Sequence, residues 1–519
     1  MKSIYKKGAL FAAAALMAFG LSGCGGDSGN ASKGPKDTLT VGVTNFADSL
    51  EPTDNYFGWQ VMRYGIGECL VHFDDKMNAE PWIAESWKVS DDKMSWTFKI
   101  KDIKFSNGTP VTGEAVKKSI ERTFAKSPRA KAMFELDHIT ADGQNVTIYT
   151  KKPMATLPGI LGDPLFIIVD ADSDGKVDFA KQGPVCTGPY MVKTFSKAKT
   201  ELDANPNYYA TVPFKHTVVN TIDDPNTRAM SLQKGEIDVA VNIAAGDMQL
   251  FQDKKKFTIS SIASLRDCLA RLNISNGKPL ADKKVRQALL QSLDRDTYCK
   301  VLLKDTFIPG GPVLPPSLDF DFDKLKAEYP DNYNVENAKK LLAEAGWKDT
   351  DGDGYVDKDG KDLTIRWLTY PGRMELPALA ELVQDNLKQI GIKVDVECSA
   401  DHLKVLEAGN YDVYASALVT APTGDPEYFF HTCALDQSTK NRGFYHNDRL
   451  EALAKEMHQT FDIEKRNQLA IEMQQIILDD HAFYFISYLE MGILSRKGVT
   501  GLAAHPSDYY EITAELDVQ

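Results

Sequence analysis

The chain has 519 residues, 43% hydrophobic and 26% charged, a globular mixture too long for one compact core. Its formal net charge of −13 argues against a nucleic-acid partner, which would favour a basic face. Beyond the first residues, no apolar run approaches the roughly 20 residues that a membrane-spanning helix needs.

At the N-terminus Lys2, Lys6 and Lys7 precede the apolar run Gly8–Leu21, the pattern of an export signal too short to span a bilayer. Leu21-Ser22-Gly23-Cys24 resembles a bacterial lipobox, in which 1–23 is removed and Cys24 is acylated. The alternative is a plain signal peptide with an incidental cysteine. Residues 24–36, rich in glycine and serine, read as a flexible tether. The expected location is the extracytoplasmic side of the cell membrane, either the outer face of the plasma membrane or the periplasm. More than one acyl chain would make the anchor stable. Six further cysteines stand singly with no C-x-x-C, so neither a metal motif nor a bridge is predicted.

Thr38–Asn45 alternates as a first strand. Asn55–Leu70 mixes aromatics with Gly58, Gly65 and Gly67; it is either a helix entering the core or an aromatic pocket wall carrying Tyr56, Trp59 and Tyr64. Ser95–Ile100 reads as a strand, and Thr112 caps a helix holding Ala115, Val116 and Ile120. In Leu265–Arg295 an extended segment, Cys268–Ile274, turns through Asn276-Gly277-Lys278-Pro279 into a helix capped by Asp282. This stretch reads as the passage from one lobe to another. The strand Leu363–Thr369 leads through Tyr370-Pro371-Gly372-Arg373 to a helix holding Leu379, Leu382, Val383 and Leu387.

Several of these stretches together resemble the family-5 extracellular solute-binding proteins of ATP-driven importers, the peptide- and nickel-binding group. Pro81, Ile83, Ala84, Ser86 and Trp87, then Trp96, Thr97 and Phe98, then Lys104–Gly108 with Pro110 follow that family's signature. Thr187-Gly188-Pro189-Tyr190, Asn205–Tyr209, Asp223–Asp238, and Pro279–Asp282 with Val285–Leu289 are similar to its later motifs. Cys186 stands where the family has Gly. The resemblance covers the chain past the tether and implies an α/β, two-lobed periplasmic-binding-protein-like clamp of type II with an extra α/β domain. It places lobe I at 37–58, 180–270 and 488–519, the extra domain at 59–179 and lobe II at 271–487. The second crossing falls in Phe483–Leu494.

The implied function is capture of a small solute for an ABC permease and ATPase complex, by a monomer without a cofactor. Peptides lead as the commonest assignment; a nickel or other metal chelate is the alternative. A membrane-tethered hydrolase and a signalling or chaperone-like binder are the other classes, and no nucleophile–base motif supports the hydrolase.

Arg373, after the strand Leu363–Thr369, is placed to grip a ligand carboxylate, as an arginine does in dipeptide-binding members; an ion pair with Glu375 or Glu381 is the alternative. Tyr370, Thr423 and Asp425 join it as candidates. Arg122 and Arg129 are secondary, Arg122 being read as a helix-surface residue. Dipeptide-binding members carry an Asp where Pro422 stands, and nickel-chelate members a Trp and a Tyr where Thr420 and Gly424 stand, so neither pocket is reproduced. Asp349, Asp351, Asp353 and Asp357 have the spacing of the front of a calcium loop, but Gly360 replaces the final Glu, and weak or absent binding is expected. Asp170, Asp172, Asp174 and Asp178 repeat the spacing with Lys176 among them. His431 is the one histidine placed near a cleft loop, and a surface or core role outweighs metal ligation.

Overall fold

The computed structural model describes residues 37–44, 47–243, 245–318, 332–373 and 375–518. Cys24 and the tether lie outside these residues. The first strand, β1 (Thr38–Val43), is followed by the short helix α1 (Gly58–Arg63). A four-stranded antiparallel sheet comes next: β2 (Ala84–Val89), β3 (Ser95–Ile100), β4 (Leu136–Asp142) and β5 (Asn145–Thr150), ordered β2-β3-β5-β4. Helix α2 (Gly113–Lys126) packs on it. Alternation puts Phe98 and Ile100 into the core with Val146 and Ile148, and α2 adds Val116 and Ile120. Thr112 Oγ1 accepts from the Ala115 amide at 3.2 Å, satisfying one donor at the helix start.

The second sheet has eleven strands. With β1 it holds β6 (Tyr190–Phe195), β7 (Lys199–Ala204), β8 (His216–Thr221), β9 (Val239–Val241), β10 (Phe257–Leu272), β11 (Phe307–Pro309), β12 (Thr364–Thr369), β13 (Lys393–Cys398), β14 (Val413–Val419) and β15 (Phe483–Arg496). Their order is β13-β12-β14-β10-β15-β9-β1-β8-β7-β6, with β11 paired to β15. Towards one edge β1 runs parallel to β8 and β9; towards the other β12 runs parallel to β13 and β14. The helices α3 (Lys283–Gln291), α4 (Glu375–Lys388), α5 (Asp448–Gln459) and α6 (Ile463–Asp479) belong to the second half of the chain. Asp282 caps α3 by accepting from the Lys284 amide at 2.8 Å, and Val285, Leu289, Trp367, Leu379 and Val383 share a core.

The two longest strands, β10 with 16 residues and β15 with 14, join these halves as an antiparallel pair. Phe257–Ala263 pairs with Glu490–Arg496, and Asp267–Arg271 pairs with Phe483–Tyr488. Between them Ser264, Leu265 and Arg266 stand opposite the single residue Leu489, so the ladder breaks there. The freed groups of Leu265 bond elsewhere: its amide donates to Pro506 O at 3.0 Å, and its carbonyl accepts from the Thr420 amide at 2.9 Å.

Arg122 is not the helix-surface residue the sequence predicts. Its side chain is 7% exposed, fixed by Glu51 at 2.6 and 3.0 Å and by Asp174 at 2.7 Å. Those partners come from distant loops, so helical spacing alone does not reveal them.

Glu68, just after α1, is another buried acid. Tyr208 and Tyr209 donate their hydroxyls to its Oε1 at 3.1 and 2.8 Å, and Oε2 has no hydrogen-bond partner among the described residues. Burial pushes its carboxyl up to about 7. The folded protein therefore holds this proton more tightly than the unfolded chain, whose carboxyl titrates near ~4.3. Its contribution to stability is largest below that lower value and is lost as pH rises through about 7. Glu68→Gln removes the titration while keeping an acceptor for the tyrosines. Denaturant unfolding between pH 5 and 8 is expected to fall less steeply with pH in the variant, which gains roughly 1–3 kcal/mol over the parent at the upper end. Equal slopes would show that Glu68 ionises normally.

Candidate functional site

The ladder break sets Arg266 between the two halves of the main sheet. It is partly buried, and its guanidinium has no hydrogen bond or ion pair with any described residue. Burial lowers its pKa, and Arg373 and Arg63 nearby push the same way, against the pull of Asp508 and Glu375. Arg63 and Asp508 come from the β1 side of the crossing strands, Arg373 and Glu375 from the β12 side.

Each of Arg266's neighbours is already paired. Arg63 Nη2 lies 2.6 Å from Asp508 Oδ1, and Arg63 Nε lies 3.5 Å from Glu511 Oε1. Although burial works against it, these carboxylates hold Arg63 above the usual arginine value. Glu511 is itself pushed up to about 7 by burial, with Arg63 opposing. Arg373 donates from Nε to Glu375 Oε1 at 2.7 Å, the ion-pair alternative raised above. It follows the C-terminal end of the parallel strand β12, where open α/β sheets place ligands. Tyr370 stacks on His402 at 4.5 Å and accepts from the Ala417 amide at 3.3 Å.

Aromatic residues line the β1 side. Trp59 lies 5.8 Å from Tyr56 and 5.6 Å from Tyr509 between ring centroids, and the Arg63 guanidinium sits 5.7 Å from its ring. Tyr56 is 53% exposed, whereas Tyr64 is buried at 2% and belongs to the core. Arg129 stands 4.6 Å over Tyr56 and donates to Asp163 Oδ1 at 2.6 Å, while its buried Nε has no partner among the described residues. Tyr428, carried from beyond β14, lies near Tyr56, Asp163 and Arg129, and burial pushes its hydroxyl up to about 12. The structure thus brings Tyr56, Trp59 and Arg129 together on one side and Tyr370 and Arg373 together on the other.

Thr423 and Asp425 are placed differently. An added Cβ on Gly159 would lie 2.4 Å from Thr423 O, and one on Gly424 would lie 2.1 Å from Met77 O. The loop therefore packs backbone to backbone, and Gly424 takes a φ of +72° that favours glycine. Pro422 O accepts from the Tyr509 hydroxyl at 3.0 Å. Asp425 gives both carboxylate oxygens to Arg466, at 2.6 and 3.1 Å. The same guanidinium reaches Glu427 Oε2 at 2.7 Å.

Of the acidic loops, Asp349, Asp351 and Asp353 come together on the surface, but Asp357 does not join them. Asp357 accepts from the Thr350 amide and hydroxyl, both at 2.8 Å. Asp349 accepts from the amides of Gly352 and Gly354, the work of a turn. Asp170 accepts from Asn107, Asp172 from Lys118, and Asp174 from Arg122, so these carboxylates serve separate contacts.

A cavity of about 520 Å³ opens elsewhere, lined by Glu68, Trp82, Lys101, Tyr209, Tyr510 and residues of 501–516. None of its lining comes from the chain between β10 and β15, so a ligand there would touch only the β1 side. The Arg266 cluster, by contrast, draws residues from both sides.

Arg266 is not among the candidates that the sequence offered. The available signal was an Arg-Asp pair inside an apolar strand: Asp267 is fully buried, and its carboxylate meets no hydrogen-bond donor among the described residues.

The family described as bacterial extracellular solute-binding proteins, family 5 Middle, matches residues 78–441. The nickel-binding protein NikA of Staphylococcus aureus is 27% identical over 464 residues, covering 88% of this chain and 90% of that protein. The oligopeptide-binding protein AppA of Bacillus subtilis is 29% identical over 506 residues, covering 91% and 90%. Among solved structures, a nickel ABC transporter protein from Bacillus halodurans superposes with a TM-score of 0.81 at 27% identity, over 93% of this chain and 100% of that one. Matched over most of its length and built as the same mixed α/β clamp, the chain belongs to the family-5 bacterial extracellular solute-binding proteins.

Proposed function

We propose that this protein takes up a small solute between the two sides of the β10–β15 crossing and delivers it to the permease of an ABC importer. The solute carries an anionic end, and a short peptide is the leading candidate. The observation behind this reading is Arg266, a guanidinium without a counter-ion set among Arg63, Arg373, Asp508 and Glu375. Neighbouring cations and carboxylates suit a zwitterion, and a guanidinium without an ion pair among the described residues calls for a carboxylate. AppA, among the relatives, is an oligopeptide-binding protein.

Lobe I at 37–58, 180–270 and 488–519, an extra domain at 59–179 and lobe II at 271–487 form the moving parts of this reading. Open and closed forms exchange at the crossing strands, and ligand contacts to both lobes favour the closed form. A carboxylate-rich metal chelate is the second candidate, because S. aureus NikA is a nickel-binding protein and has been solved with Ni(L-His)2. Acylation at Cys24 would hold the protein at the membrane surface.

Calorimetry with short peptides, and separately with nickel plus histidine, tests the ligand. Arg266→Ala is expected to weaken peptide binding by roughly 2–5 kcal/mol, the loss typical of removing one partner of a buried charge pair. Peptide affinity untouched by both Arg266→Ala and Arg373→Ala would remove the arginines from the site. Binding of the nickel–histidine complex without any peptide binding would make the chelate the solute. Anchoring is tested apart from binding: Cys24→Ala should move the protein to the soluble fraction with its melting temperature unchanged. Retention of the variant in washed membranes would contradict acylation.

A further inference from the structure

Among the described residues, one group that combines imidazoles with a carboxylate stands apart from the arginine cluster. Glu427 opens a helical turn, Glu427–Phe429, that continues through Phe430–Ala434 and so carries His431 on the next turn. Helix α5 brings His458 against the same turn. Glu427 Oε1 lies 3.1 Å from His431 Nε2 and 2.7 Å from His458 Nδ1, and the two rings sit 5.9 Å apart at 58° to one another. The three donor atoms all fall within 4.8 Å of one another.

We propose that Glu427, His431 and His458 form a binding site for a divalent transition metal, with zinc as the reference ion. Two imidazoles and one carboxylate suit Zn²⁺, Ni²⁺ or Cu²⁺, whereas Ca²⁺ and Mg²⁺ prefer oxygen ligands throughout. Metal–nitrogen and metal–oxygen bonds of roughly 2.0–2.2 Å hold neighbouring donors about 3 Å apart or slightly more, so the imidazoles need only a small outward shift. That shift is easy: the side chains of His431 and His458 are 47% and 41% exposed, while that of Glu427 is 10% exposed. Solvent reaches the open side and would fill the remaining coordination positions.

The carboxylate is held in place from behind. Glu427 Oε2 is taken by Arg466 Nη2 at 2.7 Å, and Arg466 is in turn fixed by Asp425. Outer partners of this kind orient a ligating carboxylate. The acidic turn Asp349-Asp351-Asp353 has no imidazole and no such support. A bound ion would pin α5 to the turn that follows the Thr420–Asp425 loop. The site shares no residue with the arginine cluster, so it stands or falls separately from the solute assignment.

The test uses full-length protein without a histidine tag, titrated with Zn²⁺ by calorimetry and with Co²⁺ by visible absorption. One zinc per chain is expected, with a ligand-field spectrum for cobalt and a rise in melting temperature of roughly 2–5 °C at saturating zinc. His431→Gln and His458→Gln keep a hydrogen-bonding group beside Glu427 and protect folding. Each should weaken zinc binding at least ~10-fold, and the pair together should abolish the cobalt spectrum and the thermal shift while peptide binding stays as in the parent. Absence of saturable zinc binding in the parent, or unchanged stoichiometry and affinity in the double variant, would overturn the proposal.

Discussion

Between Ala263 and Asp267 the backbone ladder joining β10 to β15 fails, and the proposed site depends on that failure. Pairing resumes on either side, with a second, smaller register shift between Cys268 and Leu269, and ties each long strand to one half of the sheet. At the break, Leu265 has no partner on β15 and instead bonds Pro506 from the C-terminal segment and Thr420 from the end of β14. Pro506 belongs with the β1 side and Thr420 with the β12 side, so one residue is bonded to both. A bulge is locally softer than the ladder around it and re-aims the side chains it carries. Two crossing strands side by side resist sliding and tearing, so the proposed opening and closing would bend at the break.

That position explains why the charge at Arg266 is informative. A surface arginine without a partner means little, since water solvates it. Arg266 is partly buried, it is near two other guanidinium groups, and the nearest carboxylates are already bonded to those groups. Asp425, by contrast, lies on a loop that the sequence offered as a ligand-binding candidate, yet Arg466 takes both its oxygens. What matters chemically is the state of pairing, and pairing is a property of the folded chain.

The same distinction separates what the sequence reveals from what it hides. Strand β3, the Thr112 cap of α2, the Asp282 cap of α3, and the passage from β12 through Arg373 into α4 all rest on periodicity and capping within a few residues, and all were legible. The ladder break was not, because it depends on the register of β10 against a strand far along the chain. Arg122 looked like a surface residue until Glu51 and Asp174 closed on it. His458 carries no signal in its own helix; only packing sets it beside Glu427. The Thr420–Asp425 loop misleads in another way. Its side chains invite comparison with other binding loops, but its contacts with Gly159 and Met77 are made by backbone, which sequence comparison does not register.

If the proposed clamp closes on its solute, Arg266 also supplies a reason for closure to depend on ligand. In an open clamp its guanidinium would stand in water. Bringing the lobes together removes part of that water and adds the repulsion of Arg63 and Arg373, while Asp508 and Glu375 remain committed to their own partners. Taking an unpaired charge out of water costs several kcal/mol. On the proposed reading the empty closed form is thereby disfavoured, and a ligand carboxylate removes the penalty only when both lobes surround it. A difference of about 5.5 kcal/mol in affinity between two states is enough to carry an equilibrium from 1:99 to 99:1. One buried charge pair accounts for a large part of that. A counter-ion supplied by the protein itself would stabilise the closed form with or without solute, and the clamp would no longer report that it is full.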